Sequence, residues 1–171
     1  ISMPWRIVKR AFDLVFSISM MVLLSPVFIG IAFAVLLSSG WPIFYSQKRV
    51  GLNGRVFKFY KFRSMIKGAD KIVDEVENVH ARDHVIFKNK QDPRVTPVGR
   101  ILREYSLDEL PQFLNVINNS MSVVGPRPAL PSEVSIYNSI YERRLIAKPG
   151  ITGLNTKLSL TSCGTEQLFP I

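Results

Sequence analysis

The stretch LVFSISMMVLLSPVFIGIAFAVLL, Leu14 to Leu37, carries no charged residue over 24 positions (37 − 14 + 1). As one α-helix it would measure about 36 Å at about 1.5 Å per residue. The hydrocarbon core of a bilayer is about 30 Å thick, so the run is long enough to span it. Arg6, Lys9 and Arg10 precede it in the manner of a secretory leader. The apolar part is long for such a leader, however, and no clear small-residue cleavage site follows it. A buried core helix is the plainer alternative, but a domain of this size has little interior in which to cover such a helix on every side.

Two features argue against a straight span. Ser25-Pro26 falls in the middle, where proline removes a backbone hydrogen bond and bends a helix. Both flanks are also basic: Arg6, Lys9 and Arg10 before the run, and Lys48, Arg49, Arg55, Lys58, Lys61 and Arg63 after it. The positive-inside rule puts both flanks on the cytoplasmic side. The expectation is a re-entrant membrane helix within residues 1–40, kinked at Ser25 and Pro26, that enters and leaves by one face. Asp13, four residues after Lys9, reads as a helical ion pair near the interface.

The whole chain has 171 residues, with 22 Lys+Arg against 13 Asp+Glu and a formal charge of +9. That length allows one domain with a real core. That charge suits an anionic partner: nucleic acid, a phosphate-bearing ligand or acidic lipid. Cys163 is the single cysteine, which rules out an internal disulfide framework. The chain begins at Ile1 rather than Met, as a fragment of a longer protein would.

Past Trp41 the composition changes. PIFYSQKRV and RVFKFYKF are aromatic and β-branched, and Asn53-Gly54 between them is a turn signal, so a hairpin is expected over residues 43–60. GADKIVDEVENVHARDHVIF starts with a helical period and loses it. Asp92-Pro93 and Thr96-Pro97 mark a loop. VGRILREYS, residues 111–118 and residues 132–147 each predict a short helix. His80 and His84 lie four apart without a strong third ligand, and read as surface residues rather than a zinc site.

SLDELPQFLNV, Ser106 to Val116, places two adjacent carboxylates before a proline. Ser106 and Glu109 fit a capping box, with Asp108 favoured by the helix dipole. Pro111 disturbs that fit. It would delete a backbone bond just after the first turn, so a bend or a fresh helix start is expected there. Adjacent carboxylates point different ways on a regular helix, which suits two separate roles, nucleophile and metal ligand. Nearby motifs supply cations that suit phosphate: Lys61 and Arg63 in KFRSM, Arg103, and Arg127 in GPRP. Each alone is an ordinary surface charge. Together with the membrane segment they point to a diphosphate bound near a bilayer, with Mg²⁺ held by a carboxylate and the diphosphate.

VKRAFDLVFS, LLSP, QKRVGLNGRVFKFYKFRSM, DPRVTPVGRILREYSLDELPQFLNV, MSVVGPRP and KPGITGL, in this order over roughly residues 6–154, resemble the bacterial sugar transferases. These are monotopic polyprenyl-phosphate phosphoglycosyl transferases, and the spacing around KNKQDPRVTPVGR is most similar to the undecaprenyl-phosphate galactose phosphotransferase branch. The resemblance implies an α+β fold, with the re-entrant helix followed by a small, mainly helical cytoplasmic domain over residues 41–154 that contains the hairpin. It implies an enzyme of the bacterial inner membrane, on its cytoplasmic face. Asp108 would attack a UDP-sugar, UMP would leave, and undecaprenyl phosphate would take the sugar phosphate from the aspartyl intermediate. Glu109, with Asp108, would hold Mg²⁺; Lys61, Arg63, Arg103 and Arg127 would bind phosphate; Ser25 and Pro26 would match the family's kink. Its partners would be UDP-sugar, undecaprenyl phosphate, membrane lipids and, in a homodimer, a second copy. After Leu154 the sequence departs from the family pattern, so residues 155–171 read as an atypical, truncated tail, and an inactive remnant is the second reading. A nucleic-acid binder, suggested by FKFYKFR, ranks lower, because acidic lipid accounts for the same charge.

Overall fold

The computed structural model describes residues 3–69, 92–135 and 143–153. Within them the order is α1 (Met3–Leu23), α2 (Ser25–Ser39), β1 (Phe44–Val50), β2 (Val56–Phe62), α3 (Pro97–Glu104), a 3₁₀ turn at Leu107–Glu109, α4 (Gln112–Ile117), β3 (Ser122–Val124), α5 (Pro131–Val134), a 3₁₀ turn at Arg143–Ile146 and β4 (Gly150–Thr152). Helices and short strands are mixed, as the α+β expectation required. His80, His84, Cys163 and the tail at 155–171 lie outside the described residues.

The apolar run is two helices rather than one, bent by 63° at Leu24. Pro26 sits in the first turn of α2. There its missing N–H costs nothing, because the first helical N–H groups have no intrahelical partner. The Ser25 hydroxyl donates to the Val22 carbonyl at 2.8 Å, satisfying one carbonyl at the end of α1. No single helix among the described residues is long and apolar enough to cross a membrane, but α1 and α2 pass that test as a bent pair. Both leave large apolar side chains uncovered, among them Val15, Val22, Ile29, Phe33 and Leu37.

β1 and β2 form the expected hairpin, with Phe44 opposite Phe62 and Val50 opposite Val56. Asn53 and Gly54 both have positive φ, 54° and 75°, and Arg55 N–H donates to Leu52 C=O at 3.2 Å. That is the left-handed pair an Asn-Gly hairpin turn requires. β2 divides the core. Phe62 packs with Ile31, Val35 and Leu102; Phe59 packs with Val116, Met121 and Val123. Phe28 of α2 meets Phe62 at 5.6 Å between ring centroids, so the second helix is fastened to the sheet by an aromatic contact.

β3 and β4 pair in parallel, Ser122 with Gly150 and Val124 with Thr152. The sequence did not announce this sheet, because three-residue strands carry too little period to detect. The helix expected at 132–147 is described only at its ends: α5 at one, a 3₁₀ turn at the other, with 136–142 outside the described residues.

Asp13 departs from the expectation of a plain interfacial ion pair. It is 4% exposed. It accepts from Lys9, from Ser122 Oγ at 2.8 Å and from Val123 N–H at 3.2 Å. Three residues before Asp13, Arg10 sends its two terminal nitrogens to the carbonyls of Val116 and Ile117, at 2.7 and 2.8 Å, closing the C-terminal end of α4. The charges that read as a membrane flank also bolt α1 to the rest of the fold.

Candidate functional site

α3 is capped by Thr96, whose hydroxyl accepts from Gly99 N–H at 2.9 Å. It ends at Glu104 with Tyr105 as its C-cap, and Ser106 then turns left-handed with φ 57°. The capping box therefore does not form: Ser106 makes no side-chain cap, and Glu109 turns its carboxylate elsewhere. Leu107–Glu109 is one 3₁₀ turn, and Pro111 is followed at once by α4, the fresh helix start expected at the proline.

The left-handed residue followed by a tight turn brings both carboxylates to one cation. Lys61 Nζ lies 2.9 Å from Glu109 Oε1 and 3.6 Å from Asp108 Oδ2. The two acids differ sharply in surroundings. Asp108 is buried, its side chain 9% exposed, whereas that of Glu109 is 39% exposed. Burial pushes the Asp108 carboxyl above the ordinary aspartate range; the Lys61 charge pulls it back, Glu109 pushes it further up and Arg103 lowers it.

The other expected cations are less close. Arg103 donates through Nε to Ser64 Oγ at 2.9 Å, and acts on Asp108 through its charge. Arg63 follows β2 and has its Nη1 buried without a hydrogen-bond partner. Arg127 is exposed, and lines a small cleft with Val50, Gly51, Ala129 and Arg144 that none of Lys61, Asp108 or Glu109 lines. The structure thus unites Lys61, Asp108 and Glu109, sets Arg103 beside them, and leaves Arg63 and Arg127 without a hydrogen bond to the carboxylates.

Arg49 was not among the expected site residues. Its Nη1 donates to Pro128 C=O at 3.2 Å and its Nη2 to Gln47 Oε1 at 3.0 Å. It stands over the Phe59 ring at 5.5 Å, as Lys61 does at 5.5 Å. Burial lowers its pKa, the Arg127 charge lowers it further, and Glu133 and Glu109 oppose both. Arg49 therefore links the field of the carboxylate turn to that of the GPRP loop. The signal was in the hairpin pattern. With Gln47 opposite Phe59, the period of two puts Arg49 and Lys61 on one face.

Among the described residues no cluster of three or more His, Cys, Asp and Glu side chains is placed to hold a metal. Two adjacent carboxylates do fit Mg²⁺, which commonly takes one or two protein carboxylates and completes its shell with water and substrate phosphates.

The model of the bacterial sugar transferase family matches residues 4–162. The chain belongs to that family. It is 44% identical over 150 residues to the exopolysaccharide production protein ExoY of Sinorhizobium fredii, covering 85% of this chain and 66% of that one. It is 42% identical over 153 residues to the undecaprenyl-phosphate galactose phosphotransferase of Salmonella typhimurium, covering 87% and 32%. It is 43% identical over 152 residues to the UDP-glucose:undecaprenyl-phosphate glucose-1-phosphate transferase of Escherichia coli, covering 86% and 30%. The chain thus spans just under two thirds of the first relative's length and about a third of the other two.

Proposed function

We propose that this chain transfers a sugar 1-phosphate from a UDP-sugar to undecaprenyl phosphate at a membrane surface, in the synthesis of a surface polysaccharide. The names of its relatives support the substrates. The observation that carries the proposal is the Lys61–Asp108–Glu109 constellation, one buried carboxylate and one open carboxylate sharing one ammonium.

In the first displacement an Asp108 carboxylate oxygen attacks the phosphorus that bears the sugar. The bond from that phosphorus to the UMP oxygen breaks, and UMP leaves with the electron pair. In the second, an oxygen of undecaprenyl phosphate attacks the same phosphorus and returns the carboxylate. Covalent catalysis splits one difficult transfer into two easier steps. Burial strips water from Asp108, which makes its ionised form more basic and a better nucleophile, and Lys61 keeps that form accessible. Glu109, with Asp108, would hold Mg²⁺, which would neutralise diphosphate charge when bound. Lys61, Arg63, Arg103 and Arg127 serve the phosphates, and Arg49 joins them.

α1 and α2 form a re-entrant hairpin in the membrane, held to the cytoplasmic face. The 63° bend, the uncovered apolar side chains and the basic flanks support this placement. The inactive-remnant reading gains nothing from the site, where the expected nucleophile and its neighbours are assembled. UMP release from UDP-sugars, with Mg²⁺ and undecaprenyl phosphate in detergent, tests the proposal. Release that disappears in Asp108→Asn is expected; release that survives it would remove Asp108 as nucleophile.

A further inference from the structure

β2 has two edges. One pairs with β1, and the other faces α4. On the second edge the Tyr60 N–H and the Lys58 carbonyl are both taken by one side chain. Asn115 Oδ1 accepts from Tyr60 N–H at 3.1 Å, and Asn115 Nδ2 donates to Lys58 C=O at 2.6 Å. An amide side chain here replaces a neighbouring strand. Asn115 is 2% exposed, so neither bond competes with bulk water.

The consequence is geometric. Lys61 follows Tyr60 directly, and Asn115 lies in α4, four residues after Pro111 closes the carboxylate turn (115 − 111). The carboxylate turn and the strand of Lys61 are thus joined by a two-bond clamp with a fixed register. Side chains alternate faces along a strand, so a slip of one residue would turn Lys61 away from the acids. α4 is itself held at its far end by Arg10. The clamp therefore rests on an anchored helix.

We infer that Asn115 is a positioning residue for the transfer, setting the register of β2 against the Asp108–Glu109 turn and so holding Lys61 between the two carboxylates. This rests on the proposed role of those three residues. Asn115 touches no reacting atom; it acts through Lys61.

A double-mutant cycle tests it, with UMP release measured per folded, detergent-purified chain for the parent, Asn115→Ala, Lys61→Met and the pair. Groups that act through one another are non-additive, whereas independent ones multiply. Asn115→Ala is expected to lower kcat/KM by about tenfold or more in the parent and by less than about threefold once Lys61 is gone. The same loss in both backgrounds would overturn the inference and leave Asn115 a structural residue. If Lys61→Met releases too little UMP to measure, the cycle is read in UDP-sugar affinity by calorimetry, with the same two outcomes. If Asn115→Ala does not fold, Asn115→Gln keeps both amide groups, shifts them by one methylene and enters the same cycle. Absence of release from the parent itself would overturn this inference together with the transferase proposal, a result distinct from additivity because it precedes any substitution.

Discussion

Lys61 Nζ stands 2.9 Å from Glu109 Oε1 and is 0.7 Å farther from Asp108 Oδ2 (3.6 − 2.9). The shorter contact goes to the more exposed acid, and the buried acid keeps a looser hold on the ammonium. An arrangement built for stability would reverse this, because a buried charge gains most from a close partner. The buried carboxylate is left basic, which suits a nucleophile.

That choice has a cost in stability with a definite sign. The Asp108 carboxyl titrates above its ordinary range when folded, chiefly because it is buried. Between the unfolded and folded pKa values the native state binds more protons, so stability falls as pH rises through that window and the deficit is complete above the folded pKa. Asp108→Asn removes the buried charge. It is expected to abolish UMP release and to raise Tm at pH 7, measured by thermal unfolding in the same detergent. An unchanged or lower Tm would mean that the ionised form is compensated in the fold.

The same balance predicts a pH profile. On the proposed mechanism activity needs ionised Asp108, so release is expected to fall on the acid side at a pH above the ordinary aspartate range. Lys61 is the largest charge holding that pKa down. In Lys61→Met the residual release is expected to have its acid limb moved to higher pH. An acid limb that stays in place would assign it to another group.

The bend between α1 and α2 rests on two side chains. Pro26 cannot offer an N–H to Val22 C=O, and the Ser25 hydroxyl takes that carbonyl instead. Ser25→Ala with Pro26→Ala restores a regular helical bond and removes its competitor. The pair is then expected to straighten into one span, and cysteines placed at Pro4 and Trp41 to become labelled from opposite sides of the membrane. Labelling from one side in both parent and variant would place the cause of the bend in the packing of α2 on Phe62 and Leu102.

Much of this was legible where residue chemistry acts locally. Asn53-Gly54 fixed the hairpin because few other pairs accept two positive φ angles, and Pro26 broke the apolar run because it lacks an N–H. Pro111 likewise announced the start of α4. The capping box at Ser106 failed for a nonlocal reason: Glu109 is drawn 48 residues away to Lys61, and Ser106 turns left-handed to allow it. Asp13 was legible only in part: its ion pair with Lys9 forms as expected. Its i,i+4 lysine was visible, but Ser122 and Val123 lie 109 and 110 residues off. Arg49 and Asn115 needed the strand register before either could be placed at the site.

Asp13 offers a sharp test of how α1 is held. Replacement by Ala strips the acceptor from two buried donors, Ser122 Oγ and Val123 N–H, and leaves Lys9 with Ser122 Oγ in place of its carboxylate. Each buried polar group left unsatisfied costs about 1–3 kcal/mol. For a chain of this size about 1 kcal/mol corresponds to about 2–4 °C. A fall in Tm of about 4 °C or more is therefore expected for Asp13→Ala. Asp13→Asn keeps an acceptor for Val123 and is expected to lose less. Equal losses in the two variants would show that the charge on Asp13, rather than its acceptor oxygens, fastens the helix.

Gly99 tests the support beneath the carboxylate turn. A Cβ built there would lie 1.9 Å from the Ser64 carbonyl oxygen, so α3 can approach the end of the hairpin only with glycine at this position. The same contact carries Thr96 N–H to Ser64 C=O at 3.1 Å and Arg103 Nε to Ser64 Oγ at 2.9 Å. Gly99→Ala must push α3 away from Ser64, at a cost of about 1–3 kcal/mol for overpacking alone. Because α3 runs into Ser106 and the turn, the displacement reaches Asp108 as well. The variant is expected to lose UMP release by a larger factor than its remaining folded fraction accounts for. A loss that matches the folded fraction would mean that the turn holds its place through β2 and α4 without α3.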